Sequence, residues 1–394
     1  MSPQNHPPVP LLDLKAQFAT IKDQVLAAVT RVFEEQSFIL GPHVATAEKD
    51  LAAFLGVPQA LGVSSGTDAL LLSLMALGIG PGDGVVTTPF TFFATVGSIV
   101  RLGAVPLLAD IDPATYNLDP AKVAELLSRS DLPAPPKALV PVHLFGQPAD
   151  MIPLMELARQ YKLKVVEDAA QAIGVVYPGP AGPATIGSIG HTGAFSFFPS
   201  KNLGGAGDGG LITCQDPELA ARLRSMRTHG SHPNEKYRHI HVGGNFRLDA
   251  VQAAVISVKL QYLEAWSDAR RANALDYDRM FKDSGLLDKG LVATPHRAWP
   301  DQPRTHVFNQ YVIRVKDREA LMSHLGQAKI GHAVYYPIPM HLLECFARLG
   351  GAPGDLPVAE QAAQEVLAIP VYPELTSQQK QRVVEVIADF YAGR

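Results

Sequence analysis

Seven short runs in the first 215 residues decide what this 394-residue chain can become. They are 60–64, 84–88, 105–110, 138–144, 164–167, 193–198 and 209–213. Most are apolar from end to end rather than alternating, the pattern of strands covered on both faces. Helical periodicity fills several gaps, over 67–77 and 152–161. Another helix opens with Asp119 as N-cap and Pro120 at the first helical position, and Val123, Leu126 and Leu127 form its apolar stripe. Strands alternating with helices build an α/β layer, so the spacing predicts a mostly parallel sheet of seven strands.

From about residue 217 the pattern changes. The period predicts a long helical region over 248–276, then strands only at 307–315 and 332–336. A last helix opens at Thr376, with Gln379 three residues on as a capping box and Val383, Ile387, Phe390 and Tyr391 as its buried face. We therefore expect a large α/β domain over 1–250 and a smaller α+β domain over 251–394. The segments 131–136 and 177–190 are rich in Gly and Pro and are expected to be surface loops. There is no internal repeat.

Composition removes several function classes. Lys+Arg is 34 against Asp+Glu 38, a net charge of −4, and a general nucleic-acid binder shows a basic excess instead. Hydrophobic residues at 47% with only 18% charged suit a large core and not disorder. Two cysteines, Cys214 and Cys345, make neither a disulfide framework nor a zinc motif, so a reducing cytoplasm is expected and no metal. Residues 1–10 have no basic start and no apolar run, and the most apolar stretch, 69–80, falls short of the roughly 20 residues a bilayer requires. No membrane association is expected.

Three segments carry chemistry. In Ser64-Ser65-Gly66-Thr67-Asp68-Ala69-Leu70 a predicted strand ends, a glycine follows and an apolar helix begins. A helix N-terminus there presents backbone N–H groups and a positive dipole end to an anion, although an ordinary capped turn has the same pattern. In Val165-Val166-Glu167-Asp168-Ala169-Ala170-Gln171 two acids end an apolar strand, where α/β enzymes meet their ligands. A carboxylate at that place needs a cationic partner, unless it only caps the next helix. The third segment, Phe195-Ser196-Phe197-Phe198-Pro199-Ser200-Lys201-Asn202, sets one lysine between an aromatic run and a glycine run. Desolvation lowers a lysine pKa and frees the amine as a Schiff-base nucleophile; a surface lysine before a loop is the plain alternative. A phosphate cradle, a strand-end aspartate and a downstream lysine are together the three attachments that pyridoxal phosphate requires.

These segments belong to an ordered set that resembles the DegT/DnrJ/StrS family of nucleotide-sugar aminotransferases over nearly the full length. The set is Leu12-Asp13-Leu14, Phe38-Ile39-Leu40-Gly41-Pro42, Ser65 to Leu70, Pro89-Phe90-Thr91-Phe92, Glu167 to Gln171, Ser196 to Lys201, Gly207-Asp208-Gly209-Gly210 and Gly243-Gly244-Asn245-Phe246-Arg247-Leu248. The resemblance implies a fold-type-I pyridoxal-phosphate transferase. It implies that Lys201 holds the cofactor aldehyde as an imine and shuttles the proton. Asp168 pairs with the pyridinium nitrogen, Gln171 bonds the phenolic oxygen and Phe92 lies against the ring face. Gly66, Thr67 and Asp68 bind the phosphate through backbone N–H groups, with the Ser196 hydroxyl. Asn245 reaches the phosphate of a neighbouring subunit, which implies a homodimer with shared sites.

Substrate signals are thinner. Between Leu219 and Arg247 there are six cations, Arg222, Arg224, Arg227, Lys236, Arg238 and Arg247, against the single acid Glu235. Arg247 lies inside the family motif and suits a nucleotide diphosphate. His143, near a strand end, either lines the cofactor pocket or is a packed histidine. Relatives that aminate a 3-keto uronic acid carry His-Tyr-Pro-Ile-Pro where this chain has Tyr335-Tyr336-Pro337-Ile338-Pro339. Tyr336 matches as a substrate contact, and Tyr335 departs from the pattern. The resemblance thus implies amination of a 3-keto hexose linked to UDP or dTDP, with glutamate as donor. A 4-keto substrate, a sugar dehydratase and a silent cofactor-binding regulator are the alternatives. In dehydratase relatives a histidine stands in place of Lys201, and a regulator would need a broken motif or an added DNA-binding segment.

Overall fold

A computed structural model describes residues 7–180 and 182–393; residues 1–6, Ala181, Arg394 and the Lys236 side chain lie outside it. Two helices lead in, α1 (Leu14–Glu35) and α2 (Gly41–Leu55). The Asp13 carboxylate caps α1 by accepting the Ala16 N–H at 2.9 Å, and Gly56 ends α2 in the left-handed region. The sequence reading assigned no element to α1. Its buried stripe, Ile21, Val25, Ala28 and Val32, is blurred by the exposed Phe18, Leu26 and Phe33.

Strand and helix then alternate: β1 (Gln59–Val63), α3 (Gly66–Ala76), β2 (Gly84–Thr87), α4 (Phe93–Arg101), β3 (Val105–Leu108), α5 (Pro120–Leu127), β4 (Pro136–Val140), α6 (Met151–Gln160) and β5 (Lys164–Asp168). A hairpin, β6 (Val176–Gly179) and β7 (Gly182–Thr185), precedes β8 (Thr192–Ser196) and β9 (Gly210–Cys214). That hairpin corrects the loop expected over 177–190, since Val176 to Gly179 pairs in register with Gly182 to Thr185. The main sheet has the order β1-β9-β8-β5-β4-β2-β3. Only β9 runs against its neighbours, so the predicted mostly parallel seven-stranded sheet is present. Neighbouring residues feed opposite faces, as a period of two demands. Val86, Val165, Phe195 and Leu211 join one buried cluster with α5 and α6. Val85, Val166, Ala194 and Ile212 join another with α3. Both faces are covered, which is why these strands read as unbroken apolar runs.

Next come α7 (Pro217–Arg227), the short hairpin β10 (Ser231–His232) and β11 (Glu235–His239), α8 (Ala250–Leu260) and α9 (Leu263–Asp283). The expected helical region over 248–276 forms as two helices. No glycine or proline marks the break; the Tyr262 ring stacks on Trp266 with centroids 5.7 Å apart, and its hydroxyl accepts from Gln24. The second sheet is antiparallel, in the order β12 (Val292–Ala293), β13 (Tyr311–Val315), β14 (Val366–Ile369). Helices α10 (Arg318–Gln327), α11 (Pro357–Glu365) and α12 (Ser377–Ala392) accompany it. The Thr376–Gln379 capping box forms, and Val383, Ile387 and Phe390 are buried; Tyr391 is only half-buried and donates its hydroxyl to Lys316 O.

Two strand expectations shrink. Residues 307–310 do not join β13, because Val307 N and Asn309 N donate instead to Gly146 O and Phe145 O. Residues 332–336 make one bridge, Ala333 to Ala368, since Pro337 and Pro339 just beyond have no N–H for a ladder. The core around the second sheet takes α9 side chains from Ala274 onward, whereas α8 packs with α1 and α2. Val9 returns to that core, pairing with Lys329 O and Gly331 N. No helix among the described residues is long and apolar enough to cross a membrane.

Candidate active site

Because six strands share one direction, their carboxyl ends line one edge of the main sheet. The loops after β1, β2, β4, β5 and β8 meet there, the place where open α/β sheets hold ligands.

Asp168 is the last residue of β5 and is 5% exposed. Its carboxylate accepts from Thr95 Oγ1 at 2.8 Å and from the Ala170 N–H at 3.2 Å. Burial pushes its carboxyl above the usual range, while Thr95, the Ala170 N–H and the Lys201 charge pull it down. Lys201 lies on the loop between β8 and β9. Burial brings its amine down to about 8, against the opposing pull of Asp168. A carboxyl pushed up and an amine pushed down, each within the other's field and with no ion pair between them, mark a candidate functional site.

Gln171 is buried, and its amide spans two elements. Its Oε1 accepts the Phe145 N–H at 2.6 Å, and its Nε2 donates to the Tyr336 hydroxyl at 3.1 Å. One N–H of that amide remains to give. Tyr336 stands edge-on to Phe90 at 6.2 Å and 6.3 Å from the Phe92 ring. Phe92 is 58% exposed at the start of α4 and offers a ring face. Tyr335 is half-buried beside Tyr336, with ring centroids 5.9 Å apart.

The cradle at the head of α3 is built from Ser65, Gly66 and Thr67. Ser65 is the N-cap, and its hydroxyl accepts the Asp68 N–H at 3.0 Å. The Asp68 N–H is thus engaged within the chain, and its carboxylate accepts from Ser64 Oγ at 2.6 Å. The first helical N–H groups, those of Gly66 and Thr67, have no acceptor within a helix. Gly66 lies so close to Ser196 that an added Cβ would stand 2.7 Å from the Ser196 Cβ. The Ser196 hydroxyl faces the same space and also accepts from Phe198 N at 3.3 Å. A glycine-tight helix N-terminus, a buried carboxyl and a lowered amine match a phosphate, a ring nitrogen and an aldehyde. The residues present fit pyridoxal phosphate.

Asn245 and Arg247 sit together on an extended segment beside this cradle. Asn245 is exposed and bridges Thr228, Phe246 O accepts the Ser64 N–H, and Arg247 bridges Val63. Arg247 keeps a buried Nε without a partner among the described residues.

Glu167 and His143, behind Asp168, are fully buried and engage each other. The Glu167 carboxylate accepts from Gly187, Ile189 and Gly190 N–H groups and pairs with His143 Nε2 at 3.1 Å. His143 Nδ1 accepts the Ala149 N–H, so its proton is assigned to Nε2, and it is the packed histidine of the two readings. Thr95 is a site residue that the sequence reading missed. Its signal is present, since Thr91 and Thr95 stand four apart at the head of α4 with their hydroxyls 2.9 Å apart.

The family model of the DegT/DnrJ/EryC1/StrS aminotransferase family matches residues 19–388. The chain is 45% identical to the "Pleiotropic regulatory protein" of Geobacillus stearothermophilus, covering 97% of this chain and 98% of that one. It is 40% identical to a UDP-N-acetyl-3-dehydro-alpha-D-glucosamine 3-aminotransferase of Acidithiobacillus ferrooxidans, over 96% and 97% of the two chains. It is also 40% identical to a dTDP-3-amino-3,4,6-trideoxy-alpha-D-glucose transaminase of Streptomyces venezuelae, over 98% and 96%. Among solved structures, a Bacillus subtilis protein with bound pyridoxamine phosphate cofactor superposes with a TM-score of 0.89 at 30% identity, over 100% of this chain and 87% of that one.

Proposed function

We propose that this chain, which belongs to the DegT/DnrJ/EryC1/StrS aminotransferase family and is a pyridoxal-phosphate-dependent sugar aminotransferase, aminates carbon 3 of a UDP- or dTDP-linked keto-hexose. The observation that carries the reading is the juxtaposition of Asp168, Lys201 and the Gly66 cradle at one strand edge. The 3-position follows two 40% identical relatives, one named for a UDP and one for a dTDP sugar. Glutamate is the proposed donor.

When bound, the cofactor supplies an aldehyde that takes the donor's amino group and a ring that withdraws electrons. Lys201 would hold that aldehyde, and its amine, lowered by burial, would carry the proton to and from the substrate carbon. Asp168 holds the proton on the ring nitrogen. Gly66 and Thr67 bind the phosphate, with Ser196. Gln171 gives its remaining N–H to the phenolic oxygen, and Phe92 covers one ring face. Arg247, Tyr336 and Tyr335 meet the sugar nucleotide. The test is to load the protein with pyridoxal phosphate, add glutamate, and offer the pyridoxamine form to 3-keto and 4-keto sugar nucleotides of both kinds. Amine on carbon 3 supports the reading; turnover of 4-keto sugars alone overturns the positional assignment.

The partner in this reading is a second copy. Phe18, Phe33, Ile39, Phe93 and Phe198 are exposed on the single chain and are available to such a contact. Asn245 would reach the cofactor phosphate of that copy. Light scattering is expected to return twice 42.3 kDa. Mixed Lys201→Ala and Asn245→Ala subunits should show more activity than either parent, because one site per hybrid is whole. Absence of that gain removes Asn245 from the partner's site. The proposed compartment of the reaction is the cytoplasm.

A further inference from the structure

We propose that Asn309 is a positioning residue for the site, fixing the Lys201 loop against the Gln171–Tyr336 wall through one unbroken chain of hydrogen bonds. The inference rests on the reading above, in which Lys201 and Gln171 face the cofactor. Asn309 Nδ2 donates to Asn202 Oδ1 at 2.5 Å, across 107 residues of sequence. Asn202 follows Lys201 directly, and its own Nδ2 donates to Val307 O at 3.2 Å. In the other direction Asn309 N donates to Phe145 O at 2.9 Å. Phe145 N donates to Gln171 Oε1 at 2.6 Å, and Gln171 Nε2 to Tyr336 at 3.1 Å. Asn202, Asn309, Phe145 and Gln171 are each less than 8% exposed, so water does not compete along the chain. Arg270, also buried, fixes the main chain at the hub by donating to Phe308 O at 3.2 Å and Val371 O at 2.7 Å.

Two features argue that the amide is there to aim a bond rather than to fill space. Asn309 Oδ1 is buried with no partner among the described residues, a cost that an apolar side chain of the same size avoids. Phe145, the middle link, is a non-glycine residue in the left-handed region, at φ 57°. Such a backbone persists only where its surroundings over-determine it, and here it is pinned at N–H by Gln171 and at C=O by Asn309. Gly146 beside it has no room for a side chain, since an added Cβ would stand 2.8 Å from Val307 Cγ2. The chain is rigid at the places where two arms of the site meet. Releasing Asn309 would let the Lys201 amine drift from the Gln171 side of the cofactor. A drift of about 1 Å costs on the order of 100-fold in rate.

The test uses cofactor-loaded Asn309→Ala, Asn202→Ala and the double variant. The pH titration of the visible band of the lysine-bound cofactor is read beside single turnover with glutamate. Each single variant should move the titration midpoint by about half a pH unit or more. Each should slow single turnover about 10- to 100-fold, with the half-saturating glutamate concentration within about threefold. The double variant should be no slower than the slower single one, because both single variants remove the same Asn309–Asn202 bond. Asn309→Ser, which retains a hydroxyl donor, should recover part of the loss. An unchanged midpoint, or single losses that multiply in the double, overturns the inference. Should Asn309→Ala fail to fold, Asn202→Ala decides by the same midpoint. If the wild-type protein shows no lysine-bound band, or Lys201→Ala keeps it, the site assignment itself falls, and this inference with it.

Discussion

Lys201→Ala is expected to lose the visible band of lysine-bound cofactor and to slow transamination by at least about 1,000-fold. The argument begins with burial. The amine sits near 8 rather than 10.5 because the protein removes it from water, and Asp168 recovers only part of that cost. At pH 7 an ordinary lysine is neutral in about three molecules in ten thousand; at a pKa near 8 the fraction is about one in ten. That gain is what makes Lys201 a nucleophile. The rate at which the wild-type protein takes up pyridoxal phosphate should therefore rise through pH 8 and level above it. A rise centred near 10 would mean that burial does not activate this amine. Lys201→Arg should fail as fully as the alanine variant, since a guanidinium keeps the charge but stays protonated.

The parts of this molecule that were legible in the sequence share a physical cause. β2, β5 and β9 are covered on both faces, so their apolar runs announce themselves without periodicity. Asp168 and Ser65 stand where such runs stop, and a polar residue that ends a buried strand has few places to go but the ligand edge. α1 was not legible, because part of its apolar surface, including Phe18 and Phe33, faces outward. The split between α8 and α9 was not legible, because neither glycine nor proline stands at the junction, residues 261–262, to announce it. The pairing of Glu167 also escaped. Two adjacent acids look equivalent in sequence, yet alternation along β5 sends one to His143 and the other to Lys201's side. The link from Asn202 to Asn309 crosses 107 residues, and nothing local to either amide encodes it.

The second large effect is expected at Asp168. Asp168→Asn should cost about 100- to 1,000-fold in single turnover, the scale of losing one preorganised charge at a reacting centre. The fold should tolerate it. The Thr95 hydroxyl that donates to the carboxylate shares a hydrogen bond with Thr91, and that pair can reverse to accept from an asparagine N–H. Stability separates this role from a merely structural one. Burial holds the Asp168 carboxyl above its ordinary range, so ionising it costs the folded state free energy. The sign follows. The cost is present above the raised folded-state value and disappears as pH falls below the ordinary carboxylate value. Without cofactor at neutral pH, Asp168→Asn should melt at or slightly above the wild type, and acidification should close the gap. With saturating pyridoxal phosphate the order should invert. Cofactor at 100 times its dissociation constant stabilises by about 2.7 kcal/mol, and the variant, lacking the ring-nitrogen partner, should gain far less. Melting curves at pH 5.5 and 7.5, with and without cofactor, read all four states. A variant that melts well below the wild type without cofactor would mean that the carboxylate serves the fold. Equal cofactor gains in both proteins would mean that Asp168 does not meet the ring nitrogen.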